Sequence, residues 1–349
     1  MSEHKLRFAL VGCGDFGKEF GRYLLEVAEI VALCDADAPR AAQTAETLGL
    51  DVPVESDYRR VLARDDVDAV AITAANFVHA RIAVAAAQAG MHVYCEKAMA
   101  RNVAECWQMV RASQQNNVRL MVGHKRRLRP AWSRMIELTR PDAPLGEPVA
   151  ITVTQYADLR PYEYPGTWWA DPQRSGGAFA VYGVHVIDWF RAMCGDVRRV
   201  SAVYGPQMNE GYKFHDVMHT TYVFESGALA TINTSFAYPL HKFRESQGPM
   251  VQCRHGGLRL APHMDSIDLY WQRLDASEAH RETYDVAAEF DPAFRREAGD
   301  FVRWVTDGAA PCLTWVEGLR CVELMEAAYH SADRNGAWVD LPLYPELED

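Results

Sequence analysis

The hexapeptide GCGDFG, residues 12–17, constrains this chain more than any other stretch because of what flanks it. LRFALV precedes it as an apolar, strand-like run, and KEFGRYLLEVA follows with apolar residues at helical spacing. A glycine turn that leaves a buried strand and opens a helix presents backbone amides where a diphosphate can be held. In such a turn Gly12 allows the tight bend, Gly14 lets a ligand approach the backbone and Gly17 permits close helix packing, with Asp15 and Phe16 completing the loop. Asp35 ends the next apolar run, EIVALCD, where it can accept hydrogen bonds from ribose hydroxyls and repel a 2′-phosphate. The other reading is a helix cap, a role Asp37 could equally supply just before Pro39. Strand, turn, helix and acid together predict dinucleotide binding, with NAD favoured over NADP on charge grounds.

The same alternation continues to about residue 125. DAVAITA, HVYCEK and RLMVG read as strands, and PRAAQTAETLG, VHARIAVAAAQAG and VAECWQMVRASQQNN as helices. Fully apolar strands separated by helices imply a doubly wound parallel sheet covered on both faces. Beyond about residue 145 the runs alternate apolar with polar: EPVAITVTQYADL, VRRVSAVYG, VMHTTYVFESGALATINTSF and GGLRLAP, with ESGA as a hairpin turn. These predict a large, open, mostly antiparallel sheet in a second α/β domain, one face covered by helices. Domains of 1–125 and 126–349 are expected, the late helices being free to pack back on the first.

Bulk properties exclude several classes. The 349 residues suffice for two cores, and a formal charge of −11 repels nucleic acid unless a basic patch intervenes. KRRLR, residues 125–129, is the only dense basic cluster, and it sits between a strand and a proline. No apolar run approaches the roughly 18 residues of a membrane span. No leader is visible, and the eight cysteines include no CxxC pair, so a reducing cytoplasm without disulfides or zinc is expected. His215 and His219, without an acid cluster, make a poor metal site, and none is expected.

SGGAFAVYGVHVIDWF, residues 175–190, places His185 and Asp188 three apart on one apolar helix. Alone, that pattern is a core histidine with a structural carboxylate. Together with TAANFVHA, AGMHVYCEKAMA and WWADPQRSGG, however, it resembles the glucose–fructose oxidoreductase / inositol dehydrogenase / rhizopine-catabolism family over nearly the whole chain. The resemblance implies an N-terminal Rossmann domain, a C-terminal open sheet often used for oligomerisation, and hydride transfer to or from a sugar, polyol or related polyhydroxylated substrate. It assigns Thr73, Asn76 and His79 to the nicotinamide side of NAD or NADP, Ala74 to the same cofactor, Glu96 and Lys97 to cofactor binding at the C-terminal edge of a parallel strand, and His185 to the substrate carbinol. Three positions depart from the family pattern: Ala75 and Ala98 replace prolines, and Val181 replaces an aspartate four residues before His185.

The chemistry fits these types. A lysine ammonium can stabilise a developing alkoxide, and histidine titrates near neutrality. Lys97 and His185 are therefore the expected catalytic pair, with Lys97, Arg126, Trp169, Tyr182, His185 and Asp188 as substrate contacts. Arg126 and Arg127 could instead pair with acids, and Tyr156, Tyr162, Tyr164, Trp168 and Trp169 could be core rather than stacking surfaces. Two other classes share the scaffold: a nucleotide-sensing regulatory protein, favoured by the three departures, and a lyase or glycosidase that recycles its NAD. A homodimer or homotetramer is expected.

Overall fold

The computed structural model describes residues 5–159, 167–177, 179–239 and 248–347. It divides into two compact units, the first of residues 1–125 and 294–322 and the second of 126–293 and 323–349.

The first unit is built on β1 (Arg7–Val11), α1 (Asp15–Val27), β2 (Glu29–Cys34), α2 (Ala38–Leu48), β3 (Val54–Glu55), α3 (Tyr58–Leu62), β4 (Ala69–Ile72), α4 (His79–Gln88), β5 (His92–Glu96), α5 (Val103–Gln115) and β6 (Leu120–Gly123). Its six strands run in the order β3-β2-β1-β4-β5-β6, every pairing parallel, with Leu10 of β1 set between Leu33 and Ala71. The order reverses at β1, so the ends of β1 and β4 flank the switch point at which such sheets bind ligands. Phe8, Leu10, Leu33, Val70, Val93 and Val122 are buried between the layers. Each such side chain contributes about 1.5–3 kcal/mol of transfer free energy. β3 and α3, of two and five residues, are too short to leave a periodic signature and were not among the expected elements.

The second unit contains α6 (Pro130–Leu138), β7 (Pro148–Tyr156), α7 (Pro172–Ser175), α8 (Val184–Cys194), β8 (Val197–Tyr204), β9 (Val217–Phe224), β10 (Leu229–Ser235), β11 (Met250–Cys253), β12 (Gly256–Pro262), β13 (Ser266–Arg273) and β14 (His280–Asp285). The helices α9 (Phe290–Thr306) and α10 (Trp315–Ala332) each contribute to both units, and β15 (Val339–Asp340) closes the second sheet. That sheet has nine strands in the order β14-β13-β12-β11-β7-β10-β9-β8-β15. β7 and β10 pair in parallel and the remaining neighbours are antiparallel. Glu225–Ala228 forms the anticipated hairpin turn, with Gly227 at φ +85°. α8 covers one face, its Phe190 ring meeting Tyr222 of β9 at 6.0 Å. Residues 179–183 wind as a single π turn before α8 begins.

Candidate active site

In the first unit the three glycines of the turn have separate tasks. Gly12 sits at φ +102°, and a Cβ there would lie 2.3 Å from the Ala74 nitrogen. A Cβ on Gly17 would lie 2.1 Å from the Gly12 carbonyl oxygen, so both positions are closed by backbone. Gly14 is the opposite: a Cβ there would meet no protein atom within 4 Å. It precedes α1, whose first turn is capped by no side chain. An uncapped helix start under open space fits a dinucleotide diphosphate, which needs amide donors and close approach. Asp15 is exposed and pairs with Lys18 at 3.1 Å, while the Phe16 ring stacks toward Phe20 and Phe294.

Asp35 braces the turn. Its Oδ2 accepts from the Cys13 amide at 2.8 Å and its Oδ1 from the Asp37 amide at 2.9 Å. Asp37 is the residue that caps α2, accepting from the Arg40 amide. Each Asp35 oxygen retains a lone pair that a ribose hydroxyl could use.

The loop after β4 carries the next group of expected residues. Thr73 donates its hydroxyl to the Gly12 carbonyl at 2.6 Å, tying β4 to the turn. Ala74 is partly exposed and Asn76 is buried. His79 is wholly buried, its Nδ1 2.9 Å from the Ala98 oxygen and its Nε2 2.9 Å from the Ala74 oxygen. Burial lowers its pKa, with the two carbonyl contacts opposing the fall. The ring therefore braces the loops after β4 and β5.

Lys97 follows the C-terminal end of β5, and its peptide bond to Ala98 is cis. The carboxylate of Glu96 is 8% exposed and ion-paired to Lys125 at 2.8 Å, and it also accepts from the Lys97 amide. Lys125 Nζ lies 4.0 Å from the centre of the Phe16 ring. Glu96 thus holds the Lys97 backbone, and Lys125 supplies its countercharge. Lys125 was not among the expected site residues. Its signal was the first position of KRRLR.

In the second unit, Gly177 at φ +91° opens the histidine segment where a Cβ would lie 2.2 Å from the Tyr329 hydroxyl. That hydroxyl accepts from the Phe179 amide at 3.1 Å. Val181 is buried, and His185, the second residue of α8, is partly exposed. Tyr182 tilts against Phe236 at 5.2 Å, and its carbonyl accepts from Gln155. Asp188 is only 1% exposed and receives Arg127 in a fork, at 2.9 Å to Oδ2 and 2.6 Å to Oδ1. This pairing makes it a structural anchor of α8. Arg126 stacks on Trp132 at 4.9 Å. Tyr162, Tyr164 and the side chain of Trp169 lie outside the described residues. His215 stacks on Tyr204 and His219 pairs with Asn233.

A glycine turn at the switch point, an uncapped helix start and a braced lysine at a neighbouring strand end define a dinucleotide-dependent oxidoreductase of the Rossmann type. Residues 6–124 match the model of the Gfo/Idh/MocA oxidoreductase family with an NAD-binding Rossmann fold, and residues 142–259 match that of the Gfo/Idh/MocA C-terminal domain. The chain belongs to this family of NAD(P)-dependent oxidoreductases. It is similar to D-xylose 1-dehydrogenase (NADP(+)) 2 of Haloferax volcanii, with 29% identity over 90% of this chain and 92% of that protein. Inositol 2-dehydrogenase/D-chiro-inositol 3-dehydrogenase of Lactiplantibacillus plantarum is 24% identical over 97% of this chain and 94% of its own. Among solved structures, levoglucosan dehydrogenase in complex with NADH and L-sorbose shares the fold at a TM-score of 0.84 and 21% identity, covering 99% of this chain and 100% of that one. Aldose-aldose oxidoreductase from Caulobacter crescentus complexed with glycerol shares it at 0.83 and 21% identity, over 97% and 100% of the two chains. No described helix is long and apolar enough to cross a membrane.

Proposed function

We propose that the chain interconverts a secondary alcohol and a ketone on a sugar, polyol or related polyhydroxylated compound, with NAD as hydride partner and NADP as the alternative. The observation that carries this reading is Lys97 at the end of β5, its backbone held by a buried carboxylate with its own countercharge. When bound, the nicotinamide accepts or returns a hydride. Lys97 stabilises the negative charge that develops on the substrate oxygen. His185 takes the hydroxyl proton during oxidation and returns it during reduction. The D-xylose and inositol dehydrogenases among the similar proteins support the substrate class.

The test is formation of reduced nicotinamide across a panel of aldoses, inositols and polyols. Lys97→Ala and His185→Ala are each expected to lower kcat by about 100-fold or more. Wild-type turnover in both variants refutes the assignment. One observation favours a second reading, a nucleotide-responsive regulator. Val181, where the family pattern has an aspartate, is buried and apolar, and Asp188 is forked by Arg127. Tight NADH binding without turnover on any compound supports that reading, and product formed without net NADH points to a lyase or glycosidase.

The same proposal extends to a cytoplasmic homodimer or homotetramer. Val203, Leu229 and Met250 are exposed on one face of the nine-stranded sheet. Light scattering reads the assembly.

A further inference from the structure

Three arginines of KRRLR fall in the second unit, and they are not treated alike. Arg127 is forked onto Asp188, and Arg129 Nε lies 3.2 Å from Glu289, a residue with no exposed surface. Arg126 has no carboxylate at ion-pair distance among the described residues. Its guanidinium lies 4.9 Å from the centre of the Trp132 ring. Trp132 is in turn fixed edge-on to Trp189 at 5.0 Å, and Trp189 donates its indole N–H to the Trp132 carbonyl at 3.4 Å. Arg126 thus lies over an anchored ring, and it keeps partial exposure.

The local charge does not balance. Three guanidinium groups share two carboxylates, Asp188 and Glu289. Burial pushes the Arg126 guanidinium down to about 9, Arg129 adds to the fall, and Asp188 opposes it. It is still a cation at neutral pH, in surroundings that disfavour an uncompensated charge. A cation–π contact supplies only part of what a carboxylate would.

Position connects this cation to the site. Asp188 and Trp189, which anchor its surroundings, follow His185 by three and four residues on α8. They therefore lie on the histidine's side of the helix, one turn along, about 5.4 Å of rise.

We infer that Arg126 is a specificity-determining residue that binds an oxyanion carried by the substrate, so that the preferred substrate is an acidic sugar derivative and not a neutral sugar or polyol. The planar fork of arginine suits the paired oxygens of a carboxylate or a phosphate. This rests on the proposed oxidoreductase function and names the substrate class of the same site.

The experiment is calorimetric titration of the NADH-loaded enzyme with matched pairs: D-gluconate and D-sorbitol, D-glucuronate and D-glucose, D-glucose 6-phosphate and D-glucose. In at least one pair the charged member is expected to bind about 10-fold tighter or better, and Arg126→Gln is expected to reduce that ratio by about 10- to 100-fold. Preference within the acid pairs identifies a carboxylate, and within the phosphate pair a phosphate. Arg126→Lys keeps the charge and loses the fork. It is expected to retain part of the ratio, and it carries the test if the glutamine variant does not fold. No preference for any charged member, or a preference that survives Arg126→Gln, overturns the inference. Turnover of neutral polyols without an anion preference removes this inference and leaves the oxidoreductase reading standing. Arg126-dependent anion binding without nicotinamide reduction does the reverse.

Discussion

The strand end at Lys97 and the helix at His185 each pair a candidate reactive group with a nearby carboxylate, and they use that carboxylate differently. In the first unit Glu96 serves Lys97: it accepts from the lysine's own amide, and Lys125 neutralises it. In the second unit Asp188 serves the scaffold, bound by both arms of Arg127, while Val181 fills the upstream position with a hydrocarbon. The lesson is that a carboxylate one turn from a histidine says nothing about catalysis until its partner is known. A buried acid finds the cation that can reach it, and that cation need not be near in sequence.

The contrast can be broken most forcefully at Asp188. Asp188→Asn leaves Arg127 buried without its countercharge and is expected to destabilise the protein by about 3–5 kcal/mol in urea unfolding. The double change Arg127→Met with Asp188→Leu should recover most of that loss. Unchanged stability in the single variant would mean that Asp188 is not the anchor of α8.

Next in size are the glycines. Gly12→Ala forces a Cβ into backbone at a positive φ and is expected to lose about 2–4 kcal/mol. Gly14→Ala, with open space above it, should leave stability within about 0.5 kcal/mol. It should still weaken NADH binding by about 10-fold, because the methyl occupies the approach to the backbone. Equal stability losses at the two positions would contradict the division of labour drawn for the turn.

Lys125→Met sharpens the first half of the comparison. It leaves Glu96 buried without its cation, and kcat is expected to fall by about 10-fold through loss of the Lys97 brace. Lys125→Arg should restore part of the rate. A variant that changes stability and not kcat would make the pair structural only.

The smallest expected effect tests the second half. Val181→Asp places a carboxylate beside the imidazole and favours its charged form. The proton-accepting form of His185 then appears at higher pH, so the acid limb of the oxidation profile should move up by about one pH unit. An unmoved limb would separate His185 from the rate-determining proton transfer.

Much of the fold was legible because its signals are local. GCGDFG between a strand and a helix, the apolar runs of β1, β2, β4 and β5, and the ESGA turn are all periods or dipeptide chemistry within a few residues. β14, HRETYD, was not: it is a polar edge strand with no buried residue in its pattern, so no apolar alternation marks it. β3 and β15, at two residues each, carry no period at all. The site was legible by residue type and less so by direction. Thr73 and His79 are expected at a ligand, and nothing in their spacing signals the backbone carbonyls they bond to. Arg127 and Asp188 are 61 residues apart, and Lys125 and Glu96 are 29 apart. Such pairs follow from the topology that joins the elements, which no helical or strand period encodes.

The π turn at residues 179–183 means that this helix carries one more residue per turn than its continuation. Sequence distance is therefore an elastic ruler here. Counted along a regular helix, the neighbour one turn before His185 is Val181, whereas counted through a π turn Ala180 competes for the place. Both are buried and apolar. The hydrocarbon surface upstream of the histidine is thus indifferent to how the turn is wound, and a single-residue deletion that relaxed it to an ordinary helix would change the phase of the segment without delivering an acid.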